Sequence, residues 1–473
     1  MGKYKSLLLK VLRQLFCIML LGVMLSACRE KTVDPATDTE TNNWILEQMK
    51  YWYYWNDHIT TTPDLSLTPD KFFDALLYKY DATLRPDGDR FSWIEASAVE
   101  LKASLSGESK TSGMNFKLIY YPTGSQDVIG VVLYTLPGSP AAKAGINRGD
   151  IFTGINGQKL TGANYASLVN ATGTLSYTLG NINDQGAVIE TAVKKDVTPI
   201  TFQEDPVHFD TTFQYGTNKV GYLVYQQFIP GPNSGSDKLY DQKLETVFGK
   251  FKTSQINSLI LDLRYNPGGY VSSAATLASL IGKVTTNDVF YFKEYNSVVT
   301  PDLLKKYGKD YFNERFSSKT QNIGSQLTNL IILTSSKSAS ASELLINGLK
   351  PFMEVKLVGG KTVGKNVGSI TLSNEKGGIK WGLQPIVTKS FNALHNSDYA
   401  TGFLPDFPAV EGVKLYPYGD PRDPLLGEAL FRIVGTRVVR KSADAQRSLS
   451  QEPIELESTI ERKAGGGNMF FDR

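Results

Sequence analysis

Three uninterrupted apolar runs, each closing on a polar or glycine turn, set the strongest limit on how this chain can fold. SLILDLRYNPGG (258–269) passes from an apolar strand through a glycine turn into the helix-like YVSSAATLASLIG, and LTNLIILTSS (327–336) leads into SASELLINGLK, helix-like from Ser340. VKLVGGKTVGK is a third strand ending in glycines, and VGYLVYQQF (220–228) a further one. A strand apolar on both sides has to be covered on both faces, the situation of a parallel sheet inside an α/β layer. Residues 284–326, polar and aromatic, read as an insertion or lid between the first two runs.

Upstream the patterns differ. Trp44, Ile45, Met49, Trp52 and Tyr53 recur at helical spacing and Thr68-Pro69 opens a second helix, so 44–102 reads as a small helical N-terminal domain with an aromatic core stripe. From Thr111, β-rich runs alternate with Gly, Pro and Asn turns, which makes 103–195 a β-rich domain. The α/β core then spans 196–440, and 441–473, with a GGG and few apolar residues, reads as a flexible tail. The fold class is multidomain α+β, and 473 residues leave room for about three such domains.

The start of the chain is a targeting signal. Lys3, Lys5, Lys10 and Arg13 precede the short apolar run QLFCIMLLGVM, and Leu25-Ser26-Ala27-Cys28 closes it. This resembles the lipobox of bacterial lipoproteins, which implies a signal peptide over 1–27, lipidation of Cys28, attachment to a membrane surface without a spanning helix, and a place in the bacterial cell envelope; Arg29 after the cysteine is no inner-membrane retention signal, so the outer membrane is the expected site. Residues 28–43 read as a polar tether. Without the signal, 46 basic residues face 47 acidic ones, and only Cys28 of the two cysteines remains. A balanced charge with no basic stripe argues against a nucleic-acid partner, and three histidines argue against a metal cluster.

The residues that can do chemistry lie at the ends of the apolar runs. Asn266-Pro267-Gly268-Gly269 exposes backbone N–H groups before a helix, which suits a phosphate or an oxyanion, but the turn lacks the lysine of a phosphate loop. Ser340 with Glu343 fits the S-x-x-E capping box, which taken alone is the better account because capping boxes are common and nucleophiles rare; the other reading is a nucleophile beside exposed N–H groups. A serine nucleophile needs a base. His58, His208 and His395 are isolated, so a Ser/His/Asp triad is poorly supported. A buried lysine can serve, because desolvation lowers its proton affinity, and Lys365 lies 25 residues after Ser340, one helix and one strand away.

Two resemblances join these pieces. Gly113-Met114-Asn115-Phe116, Ser139-Pro140-Ala141-Ala142, Ala144-Gly145-Ile146, Gly149-Asp150-Ile151 and Ile155-Asn156-Gly157 resemble a PDZ domain, in which an extended peptide adds to the strand after Gly113. Met114, Phe116 and the region from Tyr165 to Val169 are the expected pocket walls. SASASE around Ser340, Gly364-Lys365 and Asp262-Leu263-Arg264-Tyr265-Asn266-Pro267-Gly268-Gly269 then make nearly the whole chain resemble the S41, or C-terminal processing, peptidases. The resemblance implies a ClpP/crotonase-like serine peptidase core. It implies Ser340 as nucleophile, Lys365 as base, an oxyanion hole from the N–H groups of Gly268 and Ala341, no cofactor and no metal, and protein or peptide substrates taken by their C-terminal tails. Many members carry a Gln four residues after the lysine; here that position is Ser369, a possible support for Lys365. A non-catalytic PDZ peptide-binding lipoprotein and a crotonase-type acyl-CoA enzyme are the alternatives.

Overall fold

The computed structural model describes residues 34–122, 124–183, 187–232, 237–439 and 454–462, together with the backbone of 469–470. The signal segment 1–27 and Cys28 lie outside the described residues. Among the described residues, no helix is long and apolar enough to cross a membrane.

The apolar runs become the centre of a six-stranded sheet. Its order is Val207–Tyr215, Asn218–Tyr225, Ser258–Asp262, Asn329–Thr334, Lys356–Gly359 and Phe407–Pro408, parallel from the second strand onward. Side chains alternate between faces along a strand. Leu259, Leu261, Ile332 and Leu357 pack on one face against the helices Leu239–Thr253, Val271–Ile281 and Ala341–Leu349. Ile260, Ile331, Leu333 and Val358 pack on the other, against the helix Pro424–Val434. Two covered faces explain why these strands are apolar without alternation. Truncating a side chain such as the wholly buried Leu344 to Ala is expected to cost about 2–5 kcal/mol.

A second six-stranded sheet stands beside the first, in the order Gly269–Tyr270, Met469–Phe470, Val367–Ser369, Ile386–Phe391, Val289–Tyr295 and Asn313–Arg315. The stretch 284–326 is therefore no lid. Its strand Val289–Tyr295 pairs with Ile386–Phe391, and Phe290 and Tyr291 are buried in the main core, because the aromatics that made it look like an insertion are core residues.

The N-terminal helix starts earlier than expected. It spans Asp38–Trp52, so residues 38–43 are not tether: Thr37 and Glu40 form a capping box, and the buried Asn42 amide donates to the carbonyls of Leu65 and Leu67. The domain is not wholly helical either, since Trp93–Glu95 forms a strand on Gly382–Gln384 of the core.

A two-stranded ribbon, Glu108–Thr111 with Ile200–Gln203, links the β-rich domain to the core. That domain is a sheet of Met114–Tyr120, Val128–Thr135, Ile151–Ile155, Leu175–Ile182 and Val188–Val197, with the short helices Pro140–Lys143 and Tyr165–Val169. Gly113 carries φ +78°, and a Cβ there would come within 2.1 Å of Ser139 Cβ, so the loop before the first strand closes against the Ser139-Pro140 turn only with glycine. The tail expectation fails for 454–462. Glu455–Ser458 adds an edge strand antiparallel to Met114–Tyr120, the seventh of this sheet when the short strand Gln158–Lys159 beside Ile151–Ile155 is included, followed by a helical turn Thr459–Arg462 with Ile460 buried. A few apolar residues suffice to order a segment when a sheet edge supplies its backbone hydrogen bonds.

Candidate active site

Ser340 sits where the strand Asn329–Thr334 hands over to the helix Ala341–Leu349, with φ +61°. A non-glycine residue in that region is strained and marks a site held by its surroundings. The surroundings are the neighbouring serines. Ser335 Oγ donates to the Arg264 carbonyl, Ser338 Oγ to that of Leu263 (2.7 Å), and Ser342 Oγ to that of Asn266 (3.0 Å), so three hydroxyls tie the serine loop to the Asp262–Gly269 turn. Ser340 Oγ, wholly buried, has no hydrogen-bond partner.

The capping-box reading is half realised. Glu343 Oε2 accepts the Ser340 N–H at 2.9 Å, while Ser340 Oγ lies near the Glu343 N–H without hydrogen-bond geometry. The same Oε2 accepts the Lys365 N–H at 2.8 Å, and Oε1 accepts the Gly364 N–H at 2.7 Å and the Thr362 hydroxyl at 2.5 Å. One carboxylate oxygen thus holds the backbones of Ser340 and Lys365 together. Burial pushes the Glu343 carboxyl above its ordinary value, and its four donors oppose that shift.

Lys365 is wholly buried, and its Nζ has no hydrogen-bond partner. Burial lowers its proton affinity well below that of a free lysine; Asp89 and Glu343 counteract in part. The Phe91 ring lies 4.7 Å from Nζ. Arg90 donates to the carbonyls of Gly364 (3.0 Å) and Ala400 (2.8 Å), and Asp89 is fixed by the N–H groups of Phe91 and Ser92 and by the Tyr53 hydroxyl. The N-terminal domain therefore builds one wall of the lysine site. Sequence reasoning missed Asp89, Arg90 and Phe91, which have no periodic or motif signal, and saw Glu343 only as a cap.

The remaining expected residues fall around this centre. Ala341 starts its helix, where first-turn N–H groups lack helical acceptors. The Gly268 N–H is taken by Asn266 Oδ1 at 2.9 Å, so in this conformation it is not offered to a substrate carbonyl. Gly269 has φ +134°, and a Cβ there would meet the Phe228 carbonyl oxygen at 2.1 Å. Ser369 is buried in the strand Val367–Ser369, which begins two residues after Lys365. No hydrogen bond joins Ser340 Oγ to Lys365 Nζ, a separation that occurs in serine sites before substrate aligns them.

In the β-rich domain, Met114, Asn115 and Phe116 are buried in the first strand. The N–H groups of Gly113 and Met114 bond to the hydroxyls of Thr111 (3.0 Å) and Ser112 (3.2 Å), so an incoming carboxylate has to displace them. A buried ion cluster fastens this domain to the core. Arg148 meets Glu411 (2.5 Å) and Asp423 (3.2 Å), and Arg264 meets both at 2.8 Å. Against burial, which would raise it, Arg148 and Arg264 hold the Glu411 carboxyl far below the usual carboxylate range.

Fold and site together define a multidomain α+β protein that pairs a β-rich domain with a buried serine and lysine at the end of a parallel sheet. Comparison with known proteins assigns that class. Peptidase family S41 matches residues 219–409, the peptidase S41 N-terminal domain 40–93, and a PDZ domain 131–174; the two S41 matches take in just over half of the chain, which belongs to peptidase family S41. A probable CtpA-like serine protease of Staphylococcus aureus is 25% identical over 291 residues, 61% of this chain and 52% of that one, so the chain spans about half the length of these relatives. Carboxyl-terminal-processing peptidase 3, chloroplastic, of Arabidopsis thaliana is 26% identical over 395 residues, covering 81% and 67%. A putative S41 protease from Bacteroides fragilis superposes with a TM-score of 0.69 at 25% identity, covering 83% of this chain and 97% of that chain.

Proposed function

We propose that the chain is a serine endopeptidase acting through Ser340 and Lys365 on proteins selected by an exposed C-terminal tail. The observation that carries the reading is the pair of buried, unpartnered polar atoms, Ser340 Oγ and Lys365 Nζ, on backbones gripped by one carboxylate oxygen of Glu343. A neutral Lys365 takes the hydroxyl proton as Oγ attacks the peptide carbonyl, and gives it to the leaving amine. The Ala341 N–H, with that of Gly268 once released from Asn266, holds the oxyanion. Water then cleaves the acyl-enzyme, its proton passing to Lys365 and on to the serine. The PDZ strand Met114–Tyr120 takes the substrate tail by strand addition.

Hydrolysis of an unfolded protein with an apolar tail, compared between the native chain and Ser340→Ala, tests this. Loss of at least about a thousandfold in kcat is expected; retained activity refutes it. Lipidation of Cys28, tethering the enzyme to the envelope surface at the outer membrane, belongs to the same proposal. Incorporation of a labelled fatty acid that Cys28→Ser abolishes would support it, and labelling that survives would refute it.

A further inference from the structure

The segment 454–462 lies where a strand-adding ligand of the PDZ domain would lie. It runs antiparallel to Met114–Tyr120, with Glu455 opposite Ile119, Glu457 opposite Leu118 and Ser458 opposite Lys117. The Tyr120 N–H donates to the Ile454 carbonyl (3.2 Å) and the Phe116 N–H to Thr459 Oγ1 (2.9 Å), so edge donors that a peptide would need are already used. Leu456 packs into the cluster that contains Met114, Phe116 and Leu168, beside Tyr165 and Val169. Arg462 donates to Asn170 Oδ1 (2.7 Å) at the end of the helix Tyr165–Val169, so the segment bridges both walls of the groove.

The same segment reaches toward the serine. Lys337, three residues before Ser340, pairs with Glu455 (2.6 Å) and with Glu461. Further along, the backbone of Met469–Phe470 is a strand between the oxyanion turn and the lysine strand: Gly269 pairs with Met469, and Tyr270 and Ser369 with Phe470. The described pieces 454–462 and 469–470 therefore contact the peptide edge, the serine loop and the strands Gly269–Tyr270 and Val367–Ser369.

We propose that residues 454–462 are a resident ligand of the chain's own PDZ groove, so that a substrate tail binds only by displacing them. The inference rests on the reading of Met114–Tyr120 as the substrate-binding strand. A groove open one-tenth of the time binds with an apparent affinity weakened about tenfold. Release of the segment removes that factor.

The test uses the full chain carrying Leu456→Asp with Ile460→Asp, and a second, milder variant, Glu455→Lys with Glu461→Lys. Two readouts are independent of catalysis. Hydrogen exchange of the amides of Phe116 and Tyr120 should quicken in both variants. A fluorescein-labelled peptide with an apolar C-terminus, followed by anisotropy, should bind about tenfold more tightly to the first variant and by a smaller factor to the second. A synthetic peptide of sequence IELESTIER should compete it off. Unchanged exchange in both variants overturns the proposal, as does faster exchange with unchanged affinity. If no protein substrate is cleaved by the native chain, the peptidase reading falls while these binding readouts still decide this one.

Discussion

Glu343→Gln is the sharpest probe of how the site is assembled. The carboxylate accepts four donors, two on each oxygen: Ser340 N–H and Lys365 N–H on one, Gly364 N–H and the Thr362 hydroxyl on the other. An amide offers one acceptor oxygen and one NH2 group. If the NH2 faces Ser340 and Lys365, two buried N–H groups oppose a donor; if it faces the other side, the Gly364 N–H does, and the Thr362 hydroxyl, which already accepts the Phe403 N–H, must turn. An unsatisfied buried donor costs about 1–3 kcal/mol, so the substitution should destabilise the core by about 2–4 kcal/mol even in its better orientation. It should also lower kcat by about a hundredfold or more, because it loosens the two backbones that carry the reacting atoms. Thermal unfolding followed by tyrosine fluorescence reads the first effect and single-turnover hydrolysis the second. A Gln variant that melts with the native chain and keeps kcat within threefold would refute the idea that this carboxylate aligns serine and lysine.

Other outcomes follow from the same geometry. Ser340→Ala removes a hydroxyl that bonds to nothing, so its melting temperature should stay within about 1 °C of the native value while activity is lost; a large drop would mean the hydroxyl is structural. Lys365 has a folded proton affinity below its unfolded one, so at any pH between its folded value and the ordinary 10.5 folding must expel a proton. That penalty grows as pH falls and levels off below the folded value, at about 1.4 kcal/mol for each pH unit of depression. Lys365→Met should therefore be inactive yet more stable than the native chain at neutral pH, with the gap closing toward pH 10.5 in pH-dependent denaturation. In the native enzyme kcat should rise with pH as Lys365 loses its proton, with a midpoint well below 10.5. Arg148→Met breaks the buried cluster between PDZ domain and core and should destabilise their junction by about 3–5 kcal/mol, read as earlier melting or proteolysis at the 108–111 and 200–203 ribbon.

The sheet was legible because its signal is local: a strand such as 258–262 announces two covered faces by being apolar throughout, and 220–225 and 356–359 repeat the message. Ser340, Lys365 and the Asn266–Gly269 turn were legible because each closes such a strand. Asp89, Arg90 and Phe91 were not, since their importance lies in a contact across more than 270 residues of sequence that no spacing encodes. The aromatics of 289–295 misled for a related reason. Polar and aromatic residues on a strand at the border of two domains look like surface until both sides are in place: Phe290 and Tyr291 pack in the main core, while Tyr295 packs with Ile45 and Met49 of the N-terminal helix and Asn296 donates to the Tyr51 and Tyr53 carbonyls. The segment 454–462 carries too few apolar residues to order itself and takes its structure from a sheet edge.

The wall that Asp89, Arg90 and Phe91 raise around Lys365 changes what a truncation would mean. Removing the N-terminal domain would uncover the amine, rehydrate it and let it recover its proton at neutral pH. Such a shortened chain could keep its serine, its oxyanion turn and its peptide groove and still fail to turn over, its defect being one of proton ownership. Raising the pH would revive it in part, and that recovery separates a lost solvent shield from a collapsed fold.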